Sequence, residues 1–265
     1  MSAPCPVFGF IITIAARDGA SHAEANTIVA DLMIETRLAP DRIRPVVESL
    51  ARREPGAARP AILAARLAHF DQDDAAFSAA VDRAESLLAE NDWQGRRELA
   101  SVLLKSALTF QPMSDRTSAD EQADLKRAMK WFGEAIKHNN QDVEALWGFG
   151  TAATRLGKDL DLAEQALMAA RARMPTNAQI SVSLANLKGR EQKPDEMIPY
   201  LRDTIRYTTD LETRRWAADT LKEVRDYVTE RDRVAAENLK QREEYEKMRA
   251  EYDKKYGKPK KKSGG

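Results

Sequence analysis

The sequence predicts an all-α chain of antiparallel helical hairpins in series, ending in a long helix. Three observations predict it. From Ser21 onward apolar residues recur at helical spacing, and no alternating strand pattern follows Ala20. Cap and breaker residues cut this pattern into helices of about 12 to 17 residues. Short turns join consecutive helices, as in antiparallel pairs, and the best-defined pairs return at a period of about 34 residues, that of a helical-hairpin solenoid.

Composition bounds the class. The 265 residues suffice for one or two domains with a substantial core. Lys plus Arg and Asp plus Glu are 42 each, a balance that argues against a nucleic-acid binder, which would be strongly basic. The lone Cys5 permits no intrachain disulfide and no cysteine zinc site. Three histidines, His22, His69 and His138, leave little for metal or acid–base chemistry.

The elements follow in order. Ser21-His22-Ala23-Glu24 reads as a capping box, the serine accepting from a backbone N–H while the glutamate reaches back. Ile28 and Leu32 continue on helical spacing until Leu38-Ala39-Pro40. Pro40 suits the first turn of a second helix carried by Ile43, Val46, Val47 and Leu50, which Glu54-Pro55-Gly56 breaks. A third helix covers 61–70, Asp71-Gln72-Asp73-Asp74 is a turn and cap, and a fourth covers 75–90. After a break at 91–95 the fifth runs over 96–110. The connector 111–120 exceeds the ~2–8 residues usual between packed helices. Ser118-Ala119-Asp120-Glu121 opens a sixth helix to about His138. Helices over 143–156, 160–173, 178–190 and 195–207, and one from Leu211, complete the series. Thr176-Asn177-Ala178-Gln179 and Thr209-Asp210-Leu211-Glu212 are further capping boxes.

The strongest repeat unit spans 144–177. Leu146, Phe149, Gly150 and Ala153 lie on its first helix, Gly157 at the turn, and Ala163, Leu167, Ala170 and Pro175 on its second helix and exit. This resembles the tetratricopeptide repeat, with one residue inserted before Ala163. Small residues at Gly150 and Ala163 suit closely approaching helices, and Pro175 ends the second. The unit 180–210 keeps Leu184, Ala185, Met197, Leu201 and Thr204 in register without a terminal proline. Upstream, Leu99, Ala100 and Leu103 fit a first helix and Ala128, Phe132 and Ala135 a second. The resemblance is good over 96–210 and weak over 21–95. It implies a right-handed solenoid over 21–227, after an irregular or disordered leader 1–20 and before a charged helix and basic disordered tail, 228–265.

The same resemblance implies a concave face, lined by the first helices, that binds a protein or peptide. Five residues after each small residue, Ala100, Gly150 and Ala185, stand Lys105, Arg155 and Arg190, and one residue after stand Ser101, Thr151 and Asn186. Trp147 could stack beside them. Lys105, Trp147, Thr151, Arg155, Asn186 and Arg190 are therefore the candidate contacts, and a row of cations with Asn nearby suits an acidic or carboxylate-ended peptide. Cations at helix ends are also ordinary solvated residues that favour the dipole. Trp131, Phe132, Trp147 and Trp216 read chiefly as packing residues.

Signatures of catalysis are missing: no Gly-rich dinucleotide or phosphate loop, no His-Glu-x-x-His and no Gly-x-Ser-x-Gly. Asp71-x-Asp73-Asp74 superficially resembles a calcium loop without its central glycine or closing glutamate. No cofactor or metal is expected, and no apolar run is long enough to span a bilayer. The run 7–16 could be the apolar part of a signal peptide, but no Lys or Arg precedes it. With the single cysteine this leans to the cytoplasm, leaving secretion and the periplasm open.

From Arg231 the chain is rich in Glu, Lys and Arg, with Tyr245, Met248, Tyr252 and Tyr256 on one helix face. The expectation is a non-catalytic binding scaffold. The alternatives are an accessory C-terminal region of a larger, truncated enzyme and a structural module that oligomerises through this stripe.

Overall fold

Residues 40–108 and 118–257 are described by the computed structural model, and ten helices and no strand lie among them. The chain divides into two compact units, Met1–Pro175 and Thr176–Gly265. The first holds α1 (Pro40–Arg53), α2 (Ala58–Asp71), α3 (Asp74–Leu87), α4 (Trp93–Leu108), α5 (Ser118–His138), α6 (Val143–Leu156) and α7 (Leu160–Arg173). The second holds α8 (Ala178–Arg190), α9 (Pro194–Tyr207) and α10 (Leu211–Tyr256). The expectations for Cys5, the run 7–16, His22, the helix begun at Ser21, most of the connector and the basic tail lie outside the described residues.

In the first unit α2 pairs with α3, α4 with α5 and α6 with α7, while the first helices α2, α4 and α6 pack side by side. The apolar stripes dictate this. Ile43, Val47 and Leu50 of α1 close on Leu63 and Leu67 of α2. Leu99, Ala100, Leu103, Ala128, Phe132, Ala135, Ala145 and Ala152 form one core running through α4, α5 and α6. In the second unit α8 packs on α9 and α9 on α10, and Ile180, Leu184, Leu201, Ala217 and Leu221 are buried.

Small residues set how closely the helices approach. A Cβ on Gly150 would lie 2.5 Å from Leu167 Cγ and 3.0 Å from the Ala163 carbonyl oxygen, so α6 and α7 meet with no room for a methyl group. A Cβ on Gly148 would overlap the buried ring of Phe132, which fixes α5 against α6 in the same way. Gly157 ends α6 at φ 66°, a left-handed cap that glycine adopts without steric cost.

The helix bounds over 118–190 are those the sequence predicts; upstream, α2 starts at Ala58 rather than 61 and α3 ends at Leu87 rather than 90, and several caps differ. Asn177, not Thr176, caps α8, accepting from the N–H groups of Gln179 at 2.9 Å and Ile180 at 3.3 Å. Asp210, not Thr209, caps α10 by accepting from Thr213 N–H at 2.8 Å. Asp92 accepts from Gly95 N–H at 2.8 Å and starts α4 three residues before Arg96, inside the expected break. In each case a short Asp or Asn side chain is the better or earlier acceptor. Asp73, read as a cap, accepts from Ala76 N–H at 2.9 Å. The charged helix is no separate element: α10 runs unbroken from Leu211 through Tyr227 and Val228 to Tyr256.

Candidate functional site

Three first helices present the candidate residues. Arg97, Ser101 and Lys105, each four residues apart, share one face of α4, and Trp147, Thr151 and Arg155 share the equivalent face of α6. Polar bonds join the first half and middle of α4 to the start of α6. Ser101 Oγ donates to Glu144 Oε1 at 2.6 Å. Arg97 Nη1 donates to Asp142 Oδ2 at 3.1 Å, and Arg97 Nε lies 3.5 Å from Glu144 Oε2. Asp142 also caps α6 through Ala145 N–H at 2.8 Å, so one carboxylate starts the helix and fixes it to its neighbour.

Lys105 and Arg155 are exposed, as are Asn186 and Arg190 on α8 of the second unit. Their position near helix C-termini also suits the dipole. Thr151 is buried, and its hydroxyl donates to the Trp147 carbonyl at 2.8 Å, one turn back on its own helix. Trp147 is half-buried against the main core. Phe132 is core, Trp131 is partly buried, and Trp216 lies 39% exposed on α10, one residue off the inward face of Ala217 and Leu221.

Of two charge clusters, the first is invisible in the sequence, because its partners lie more than 40 residues apart and meet only when helices pack. Glu85 on α3 receives Trp131 Nε1–H at 2.6 Å and Arg127 Nε–H at 3.0 Å from α5, while Arg127 Nη2 donates to Asp82 at 2.7 Å. Lys130 Nζ stands 4.3 Å from the centre of the Trp131 ring. Burial pushes the Glu85 carboxyl up, but the Arg127 and Trp131 hydrogen bonds and the Arg127 and Lys130 charges bring it below its ordinary value. In the second unit the ammonium of Lys188, a residue only 2% exposed, lies 3.0 Å from Glu191 and 3.2 Å from Glu196. Burial opposes ionisation of Glu191, and hydrogen bonds from Lys188 and Lys193 outweigh it to hold that carboxyl low.

A cleft of 370 Å³ lies between α3 and α5, lined by Asp74, Phe77, Ser78, Asp120, Asp124 and Arg127. Its polar groups are three carboxylates, the Ser78 hydroxyl and the Arg127 guanidinium. No cluster of three His, Cys, Asp or Glu suited to a metal occurs among the described residues. No helix among them is long and apolar enough to cross a membrane.

No family model matches the chain, and no curated protein matches it. Solved structures do. The chain is similar to yeast Tom70, at 16% identity and a TM-score of 0.60, over 91% of this chain and 47% of that one. It is similar to TTC0263, a thermophilic TPR protein in Thermus thermophilus, at 17% identity and 0.56, over 75% and 98% of the two chains. It is also similar to YrrB, described as a TPR protein with an unusual peptide-binding site, at 16% identity and 0.51, over 79% and 97%. The fold is that of the tetratricopeptide repeat. Gly150, Gly157 and Ala163 thus occupy the close-packing and turn positions of a tetratricopeptide hairpin, as the resemblance implies. The chain spans less than half of the Tom70 chain and nearly all of the other two.

Proposed function

We propose that this chain is a non-catalytic scaffold that binds a protein or peptide on the faces of its first helices. Tetratricopeptide folds typically serve as protein- or peptide-binding scaffolds, and YrrB is described as having a peptide-binding site. The observation that carries the reading is the placement of the cations. Lys105 and Arg155 stand exposed at equivalent positions of adjacent helices, which are bonded together through Ser101, Arg97, Asp142 and Glu144. In the second unit, taken by itself, Asn186 and Arg190 are exposed on its first helix, α8. Exposed guanidinium and ammonium groups on a rigid helical wall suit carboxylates of an acidic segment or a peptide C-terminus. Trp147 offers an apolar edge beside them, and Thr151 shapes the wall through its bond to the Trp147 carbonyl. A cytoplasmic setting remains part of the proposal.

The test is binding of short acidic peptides with free or amidated C-termini, read by fluorescence anisotropy. Lys105→Glu combined with Arg155→Glu should weaken binding at least about tenfold, since each lost charge-assisted hydrogen bond contributes about 1.5–3 kcal/mol. Unchanged binding in that variant, at unchanged helicity, would contradict the assignment.

A further inference from the structure

Helix α10 is 46 residues long, whereas α9 beside it has 14. Its inward face, Ala217 and Leu221, is buried, and the last tie to α9 is the Arg231–Asp195 ion pair at 2.7 Å. Every residue from Asp232 to Tyr252 is exposed. Divided into sevens this stretch reads Arg231-Asp-Arg-Val-Ala-Ala-Glu237, Asn238-Leu-Lys-Gln-Arg-Glu-Glu244, Tyr245-Glu-Lys-Met-Arg-Ala-Glu251, Tyr252-Asp-Lys-Lys-Tyr256, with a glutamate closing each full block. With the first residue of each block at heptad position a, the a positions are Asn238, Tyr245 and Tyr252 after the paired Arg231. Val234, Gln241, Met248 and Lys255 take d. Val234, Tyr245, Met248 and Tyr252 are 42%, 61%, 62% and 60% exposed.

The flanking charges are sorted by side. Position g is Glu237, Glu244 and Glu251; position e carries Arg242 and Arg249. In a parallel pair each g faces the e five residues later on the other strand, which joins Glu237 to Arg242 and Glu244 to Arg249 in both directions. An antiparallel pair would oppose Glu to Glu and Arg to Arg. Asn238 at a single a position is the kind of polar residue that specifies register and oligomer state. We propose that the distal half of α10, from Val234 to Tyr256, is a parallel two-stranded coiled-coil surface whose occupant is the same helix of a second copy of this chain. The proposal is independent of the peptide-binding reading and uses none of its residues.

Sedimentation equilibrium of the full chain tests it. Wild type should approach twice the chain mass as concentration rises. Glu237→Lys with Glu244→Lys in one variant, and Arg242→Glu with Arg249→Glu in another, place like charges across the seam. Each should self-associate at least about tenfold more weakly, and an equal mixture should regain the dimer. All the altered residues are exposed, and circular dichroism should show equal helicity. In a Cys5→Ser background, Met248→Cys should form an interchain disulfide on oxidation, because parallel strands bring the two 248 positions together. A wild type that stays at monomer mass, a dimer untouched by either charge swap, or a dimer that fails to cross-link at 248 would each overturn the proposal. Association only with a different protein would overturn it too.

Discussion

Gly150 shows how much one residue carries here. The missing side chain lets Leu167 and the Ala163 backbone sit against α6, and neither neighbour can withdraw freely, one being core and the other backbone. Gly150→Ala should lower stability by about 1–3 kcal/mol, seen as a lower urea midpoint with unchanged slope. Asp142 is a second test at this scale, because it combines a cap with an interhelical bond. Asp142→Ala should cost about 1–3 kcal/mol, whereas Asp142→Asn should retain most of the cap and lose mainly the ion pair with Arg97. The small residues were legible because a close approach leaves only Gly or Ala in place. The caps were legible less well. Thr176 and Thr209 satisfy the capping-box spacing, but Asn177 and Asp210 one residue later satisfy the N–H groups themselves. Spacing rules do not decide between adjacent acceptors.

Between elements, the tie of α3 to α5 rests on Glu85. Arg127 and Trp131 stabilise its ionised form, so its folded pKa lies below its unfolded one. Its contribution is therefore fully present above the ordinary glutamate value of 4.5 and is lost as pH falls through the depressed folded value. Glu85→Gln should be less stable than wild type by about 1–3 kcal/mol at pH 7. That difference should persist down to the ordinary glutamate range and shrink only in more acidic solution, as urea melts at a series of pH values would reveal. A difference that grew on acidification would contradict the assignment. Periodicity could not reveal this bond, since Glu85 and Trp131 lie 46 positions apart with the 109–117 segment intervening. Periodicity did reveal which helices exist, because the apolar stripes of α6 through α9 are each bounded by a cap, a glycine or a proline.

For the whole molecule, the sequence carried the hairpin order and the tetratricopeptide character, both of which reside in the spacing of small and apolar residues. It did not carry the continuity of α10, where the compositional change at Arg231 leaves the helix unbroken. The candidate contacts were legible as a register only. Lys105, Arg155, Asn186 and Arg190 are exposed as that register requires, while Thr151 turns its hydroxyl into its own helix. The measurement that tests the central claim most directly is capture of acidic, free-carboxylate peptides by wild type and two double variants. Arg155→Glu with Arg190→Glu reverses charge on the first helices α6 and α8. Arg173→Glu with Arg202→Glu makes the same change in net charge on the second helices α7 and α9, where both arginines are exposed. Retention by wild type and by the second variant, with loss in the first, is the predicted result. Equal capture by all three, or equal loss in both variants, would contradict a binding face on the first helices.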